Sequence, residues 1–353
     1  MNILFLGSDN RNVGSARIWI HDLSSYLADI GYETAINDEE NLTRYDVVIL
    51  GKGSFDRVFE VKRRHPRALC GNINLPITRY EERPGMLRGA EIIDFFVAGS
   101  IEEMDRILWL GKPVFLFPLI ERMYTKTKIH SDKRPIVLGY HGNGLHIEEF
   151  FPHLTEAIEI LAGEVQIKLL AIYPRPADEP EWRWQTGRPS IDDIEEIDWN
   201  LETVERELLR CDIGLVPGIN HISYDERREW FAKLTDRNPE RLGFEGAGPY
   251  LLRFKGFSNA GRAFVFHQLG IPVVACFMPS HFHILGNPDC GYLAHSTEGW
   301  LRGLRELCSS VERRQKVANA AGREFRRLYD PHAWAQRFHD QLAHLLSERR
   351  DAD

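Results

Sequence analysis

The sequence predicts two doubly wound α/β domains, each a parallel sheet with helices on both faces. Three observations lead there. The chain has 353 residues, more than one typical core accommodates, and suits two domains of roughly 120 to 220 residues. Short apolar runs alternate with helical or polar segments, as expected of parallel strands buried on both faces. A strand, a glycine loop and a helix open the chain, and the same series starts again near residue 135.

Ile3 to Leu6 is expected to be a buried strand, followed by a loop holding Gly7 and Gly14 and a helix on which Trp19, Leu23, Leu27 and Ile30 recur at helical spacing. Gly31 closes that helix before a strand from Tyr32 to Ile36. The loop glycines stand seven apart and miss the G-x-G-x-x-G spacing, and no acidic residue ends the second strand, so a dinucleotide dehydrogenase fits poorly. Further strands are expected at Val47 to Leu50, Ala68 to Cys70, Phe95 to Ala98 and Val114 to Phe117. Ligands of such sheets meet the carboxyl ends of the strands, so the loops starting at Gly7, Gly51, Gly71 and Gly99 should line one mouth.

Thr125 to Pro135 is a polar, basic run between two apolar patterns. It places an interdomain linker at 126–134, with its cations read as solvated, and divides the chain into domains 1–125 and 135–330. The second series begins with a strand to Tyr140, then His141-Gly142-Asn143-Gly144 and a helix carrying Phe150, Leu154, Ile158 and Leu161. Gly142 and Gly144 let backbone come close to an anion. Strands follow at Gln166 to Ile172, Ile194 to Ile197 and Asp212 to Val216. Residues 221–253, highly charged and glycine-rich, are too long for an ordinary connection of about two to six residues and read as an insertion.

The segment Lys255 to Ala275 reads loop, helix, strand. A helix entered through Ser258 and Asn259 offers unpaired backbone N–H groups and a partial positive charge, to which Lys255 and Arg262 would add two full charges, so a phosphate can dock there. The ordinary alternative is a capped helix with solvated cations. His281 and His283 stand two apart, but no third ligand has suitable spacing, and no metal is expected. Pro331 opens a terminal helix, 331–353, with Trp334, Phe338, Leu342 and Leu345 on one face.

Composition sets further bounds. A net charge of −8 argues against a nucleic-acid partner, whose phosphates call for uncompensated Lys and Arg. Five widely spaced cysteines without a C-x-x-C pair read as reduced core residues of a cytoplasmic protein. The first strand starts at Asn2 with no basic region before it, so a signal peptide is not expected, and no apolar run approaches the ~18 residues that span a bilayer. Peripheral contact with the inner face of a membrane needs only a local patch and stays open.

The run N-x-x-R-x-x-x-x-x-x-L-G-I-P-V-V-A, from Asn259 to Ala275, resembles the helix and strand by which GT-B glycosyltransferases of the family-4-like group hold the diphosphate of a nucleotide-sugar. That group commonly carries two glutamates eight positions apart, where this chain has Phe257 and Val265, so the resemblance is to a divergent subset. The resemblance implies two Rossmann-like domains facing across a cleft, with the loop from Gly7 to Gly14 lining it. It implies that His141, Gly142 and Asn143 approach the donor diphosphate, and that the base lies near Trp199, with Glu202 accepting from a ribose hydroxyl. It also implies that the terminal helix crosses back onto the first domain. Core packing is the ordinary role of Trp199, and a backbone-bonded ring that of His141. The insertion 221–253 would cover the donor or select the acceptor; 51–54 and 71–74 are acceptor-side candidates, each otherwise a plain turn.

The expected activity is transfer of a sugar from a nucleotide-sugar to a glycan, lipid-linked or small-molecule acceptor. Charge grows on the leaving diphosphate, so cations and amide donors there lower the barrier, without a cofactor or metal. If the sugar inverts, a base is needed, and Asp9 or His21 is the candidate. A non-catalytic nucleotide-sugar-binding partner subunit and a nucleotide-sugar 2-epimerase are the competing readings.

Overall fold

The computed structural model describes residues 1–73, 83–175, 184–221, 252–254 and 259–352. Lys255, Ser258 and residues 222–251 of the expected insertion lie outside the described residues.

Short apolar runs form the central strands, because such side chains fill a pleated surface covered on both faces; the edge strands carry charge, as at Glu33, Glu195 and Glu196. The first sheet comprises β1 (Asn2–Leu6), β2 (Glu33–Ile36), β3 (Val47–Leu50), β4 (Leu69–Ile73), β5 (Phe95–Ala98) and β6 (Val114–Leu116), in the order β2-β1-β3-β4-β5-β6. All its pairings are parallel. The second sheet comprises β7 (Ile136–His141), β8 (Ile167–Tyr173), β9 (Ile194–Asp198), β10 (Ile213–Val216), and, after the antiparallel pair β11 (Ile219–His221) and β12 (Leu252–Phe254), β13 (Val273–Cys276) and β14 (Tyr292–Ala294). Its order is β14-β13-β10-β7-β8-β9, again all parallel.

Both sheets reverse direction once. The first winds from β1 to β2 and returns to the other side of β1 with β3; the second winds from β7 through β9 and returns beside β7 with β10. Helices then fall on both faces and leave a crevice at each reversal, outside the carboxyl ends of the strands. In the second sheet, Phe150, Leu154, Ile158, Trp300 and Leu304 pack on one face. Ala263, Phe266, Leu269 and Phe325 pack on the other.

The segment after β6 is fastened to the second sheet's surroundings. The Glu205 carboxylate accepts from the backbone N–H groups of Thr125 (2.6 Å) and Lys126 (3.0 Å), and Arg314 donates to Ser131 O. Lys128 pairs with Asp212 at 3.1 Å with its side chain 11% exposed, which corrects the reading of this one cation as solvated; Lys126, Lys133 and Arg134 are exposed as expected. Carbonyls at the end of one helix and a carboxylate at the start of the next strand make a cation useful there: besides Asp212, Lys128 donates to the Leu209 and Arg210 carbonyls. The final helix, Pro331–Ala352, sets Ala335, Phe338 and Leu342 into the first domain's core beside Ile3, Phe5 and Phe117.

The helix after β1 departs from simple 3.6-residue periodicity. Between Gly14–Ala16 and Leu23–Asp29 it has a π-helical stretch, Arg17–Asp22, in which all six residues are buried. The wider turn brings Arg17, His21 and Asp22 inside along with Ile18, Trp19 and Ile20. Such stretches occur often at functional sites.

Candidate active site

The two mouths face each other. Arg17, on the first domain's opening helix, lies over the indole of Trp199, in the loop after β9, with 4.8 Å from guanidinium carbon to ring centre. Ser280, in the turn after β13, donates its N–H (2.8 Å) and its hydroxyl (2.6 Å) to Glu102 of the first domain. Gln268 donates to the Glu121 carbonyl at 2.8 Å. At the reversal point of the second sheet, Arg262 lies between the Pro217 carbonyl after β10 and Gly142 after β7.

Arg262 belongs to the helix Gly261–Gln268, whose first turn stands at the carboxyl end of the sheet. Its stem passes Gly142, where a Cβ would come within 3.0 Å of Arg262 Cδ. Gly142 also has φ +143°, a conformation side chains disfavour, so glycine is needed there for both reasons. The guanidinium lies 5.7 Å from the Tyr140 ring centre. Nη2 donates to the Pro217 carbonyl (2.6 Å), at the end of β10, and to Glu149 Oε2 (3.2 Å). Nη1 is buried and has no partner among the described residues. A buried, ionised donor with no partner is costly, and an anion bound there would satisfy it.

Glu149 holds the arginine from behind. Its side chain is 6% exposed, and Oε1 meets His146 Nδ1 at 2.9 Å. Burial alone would raise its carboxyl; the His146 hydrogen bond and the Arg262 charge outweigh burial and leave it below its ordinary value.

His141 ends β7. Its Nε2–H donates to the Arg262 carbonyl at 3.2 Å, and its ring meets Phe266 edge-on. Burial first, then the Arg262 and Arg17 charges, push it down against that hydrogen bond to about 4, so the ring is neutral near pH 7 and steadies the helix rather than supplying a cation. Asn143 is exposed, and its carbonyl accepts from the Tyr140 hydroxyl at 2.8 Å. Asn259 Oδ1 accepts from Gly261 N–H at 3.1 Å, so the side chain turns back onto the chain just before the helix and does not bond to N2 or N3. Trp199 is part-buried and packs against the second domain's core, as its ordinary role has it, and Arg17 lies over its ring, which neither reading foresaw. Glu202 is exposed in the same loop, with its N–H on Asn200 Oδ1.

The first domain's mouth is differently built. Arg17 is closed: Nε (3.0 Å) and Nη2 (2.6 Å) both go to Glu121 Oε2, and Nη1 to the Arg11 carbonyl (2.9 Å). Gly14, at the start of that helix, leaves Arg17 Nη2 3.9 Å from where a Cβ would be. Asp9 is exposed and accepts from Asn37 Nδ2 at 2.6 Å. His21 is 9% exposed and neither ring nitrogen has a partner among the described residues. Burial lowers its pKa, aided by the Arg11 charge. Asp22 accepts from Arg122 N–H and is raised by burial to about 6.

His281 is buried, with Nδ1 2.8 Å from the Cys276 carbonyl, and among the described residues no group of three His, Cys, Asp or Glu could hold a metal ion. All five cysteines are buried and unpaired. Among the described residues no helix is long and apolar enough to cross a membrane.

Sequence reading singled out Arg262 and Gly142 as anion contacts, and the structure sets them side by side; it did not single out Glu149, Glu121 or Arg17. Glu149 carried one weak signal: an acidic residue just after the glycine loop, in a run leading to the buried Phe150.

Neither a family model nor a curated protein matches the sequence. Solved structures do match in fold. HepE of Anabaena, in complex with UDP and glucose, superposes with a TM-score of 0.62 at 11% identity over 97% of this chain and 99% of that one. Sucrose-phosphate synthase of Thermosynechococcus elongatus gives 0.63 at 12% identity over 98% and 99% of the two chains. A glycosyltransferase of Rickettsia africae gives 0.63 at 10% identity over 98% of each. Near-complete coverage of both chains establishes the two-domain GT-B fold; at these identities fold is what the likeness carries.

Proposed function

We propose that the chain is a glycosyltransferase that moves a sugar from a nucleoside-diphosphate sugar to an acceptor hydroxyl. The observation that carries this reading is the unpartnered, buried Nη1 of Arg262 beside Gly142 at the reversal point of the second sheet. A GT-B fold and a neighbour crystallised with UDP agree with it. In the reaction the bond from the anomeric carbon to the diphosphate oxygen breaks, and its electron pair stays on the diphosphate. The acceptor oxygen forms the new bond and loses its proton. Arg262 meets the charge that grows on the departing oxygens, and the first-turn amides of the helix Gly261–Gln268 add partial positive charge. The reading assigns this work to protein groups and not to a metal ion.

The acceptor side belongs to the first domain, where exposed Asp9 lies in the loop before the opening helix and buried His21 lies on it. A glycan, a lipid-linked sugar or a small molecule is the proposed acceptor class, met on the cytoplasmic side of a membrane in the lipid-linked case.

The test is transfer from labelled nucleotide-sugars to a panel of glycan and lipid-linked acceptors. Transfer that falls in Arg262→Lys supports the reading. Donor binding with neither transfer nor hydrolysis would make the chain a non-catalytic partner subunit, and release of an epimerised free sugar would make it an epimerase.

A further inference from the structure

We infer that Glu149 is a positioning residue, which holds Arg262 so that Nη1 faces the diphosphate of a bound nucleotide. The inference rests on the glycosyltransferase reading and adds to it a residue outside the donor-binding motif, 113 positions away in the chain.

Three facts carry it. First, Arg262 lies over Tyr140, gives one nitrogen, Nη2, to two acceptors, Glu149 Oε2 and the Pro217 carbonyl, and leaves Nη1 without a partner among the described residues. A planar guanidinium gripped by two acceptors on one nitrogen has its remaining nitrogens fixed in direction. Second, Glu149 is itself fixed: it is buried, and its other oxygen is bonded to His146. Third, a buried carboxylate next to an anion site has an unfavourable effect at long range, since it repels the diphosphate it adjoins. Its presence there calls for a compensating role, and orientation of the arginine supplies one.

The two effects have opposite signs, which makes the role measurable. If Glu149 only offsets charge, Glu149→Gln removes a repulsion and UDP binds more tightly. If Glu149 orients Arg262, the amide is a poorer partner, the guanidinium swings, and UDP binds less tightly. Uridine, which has no phosphate, separates orientation from general damage to the fold.

The experiment measures dissociation constants of UDP and of uridine for the full chain, Glu149→Gln, Arg262→Lys and the double variant, with the melting temperature of each. The expected result is UDP binding weakened about tenfold in Glu149→Gln, uridine binding unchanged, and no further weakening when Glu149→Gln is added to Arg262→Lys, because the two substitutions remove one interaction. Unchanged or tighter UDP binding in Glu149→Gln overturns the inference and leaves the glycosyltransferase reading standing. Equal weakening of UDP and uridine also overturns it, since that reports a disturbed fold. If Glu149→Gln does not fold, the comparison moves to Glu149→Asp, which keeps the charge but shortens the reach, and the same split between UDP and uridine decides. Failure of the unaltered chain to bind UDP, GDP, ADP or CDP removes the underlying reading, and the inference with it.

Discussion

Arg17 and Arg262 sit on opposite sides of one crevice, and both are held by buried glutamates, yet only Arg262 has a guanidinium nitrogen left without a partner. Arg17 spends Nε and both terminal nitrogens on Glu121 and the Arg11 carbonyl. Arg262 keeps Nη1 unpartnered among the described residues. The carboxylates differ too: burial pushes Glu121 up even against Arg17, whereas His146 and Arg262 outweigh burial and hold Glu149 down. The difference teaches that similar pairs serve different ends. The first closes a structural joint, at the place where the opening helix, the chain after β6 and Trp199 converge; the second presents a cation.

Breaking the closed pair should have the largest effect on stability. Arg17→Met leaves Glu121 buried beside an apolar stem and removes the guanidinium from Trp199, and a loss of about 3–5 kcal/mol is expected. Chemical denaturation checks this; a loss under about 1 kcal/mol would mean the joint is held elsewhere. The open pair should act on rate. Arg262→Lys keeps a positive charge for Glu149 but not the fork, and transfer should slow on the order of 10²-fold, about 2.7 kcal/mol, with little change in melting temperature. Equal losses of stability in both variants would erase the distinction.

Gly142→Ala sharpens it further. The substitution strains a backbone at φ +143° and sets a methyl 3.0 Å from Arg262 Cδ, so a cost of about 1–3 kcal/mol is expected, with donor affinity falling as the arginine is displaced. Gly53→Ala, at φ +79° with nothing within 4 Å, should cost stability by strain alone and leave donor affinity unchanged. Isothermal titration with a nucleotide-sugar separates the two.

The halves should also respond oppositely to acid. Burial lowers His130, His141 and His281 to about 4 and His267 to about 3. Unfolded, these rings titrate near 6.5, so the unfolded chain binds more protons between those values, and the second half loses stability as pH falls from about 6.5 toward 4. In the first half, burial raises Asp22 to about 6 and Glu103 to about 7. There the folded chain binds more protons between the ordinary carboxyl values near 4 and these, so stability is lost as pH rises through about 6 to 7. Hydrogen exchange at pH 7.5 and 5.0 should show protection falling in β7, β8, β10 and β13 and rising in β1, β3 and β5 on acidification.

Much of the fold was legible because a strand buried on both faces needs a short apolar run, and few other structures do. Val47 to Leu50, Phe95 to Ala98 and Val273 to Cys276 are such runs, and each is a fully buried strand. Gly142 was legible as a glycine with a backbone role, and in the structure its φ of +143° and its closeness to Arg262 Cδ require glycine. The π-helical stretch was not: the spacing of Trp19, Leu23 and Leu27 predicts an ordinary helix, whereas Arg17–Asp22 is π-helical and buried throughout. Lys128 failed as a prediction for a related reason, since its acceptors come from a helix end about 80 residues later. Glu149 is the clearest case. Its meaning lies in a partner 113 residues on, which no local spacing reveals.

A crystal structure of the chain grown with UDP tests the central claim most directly. The account predicts an oxygen of the diphosphate within hydrogen-bond distance of Arg262 Nη1, beside Gly142, with Nη2 still on Glu149 and the Pro217 carbonyl. A diphosphate bound anywhere else, with Nη1 still unpartnered, would contradict it.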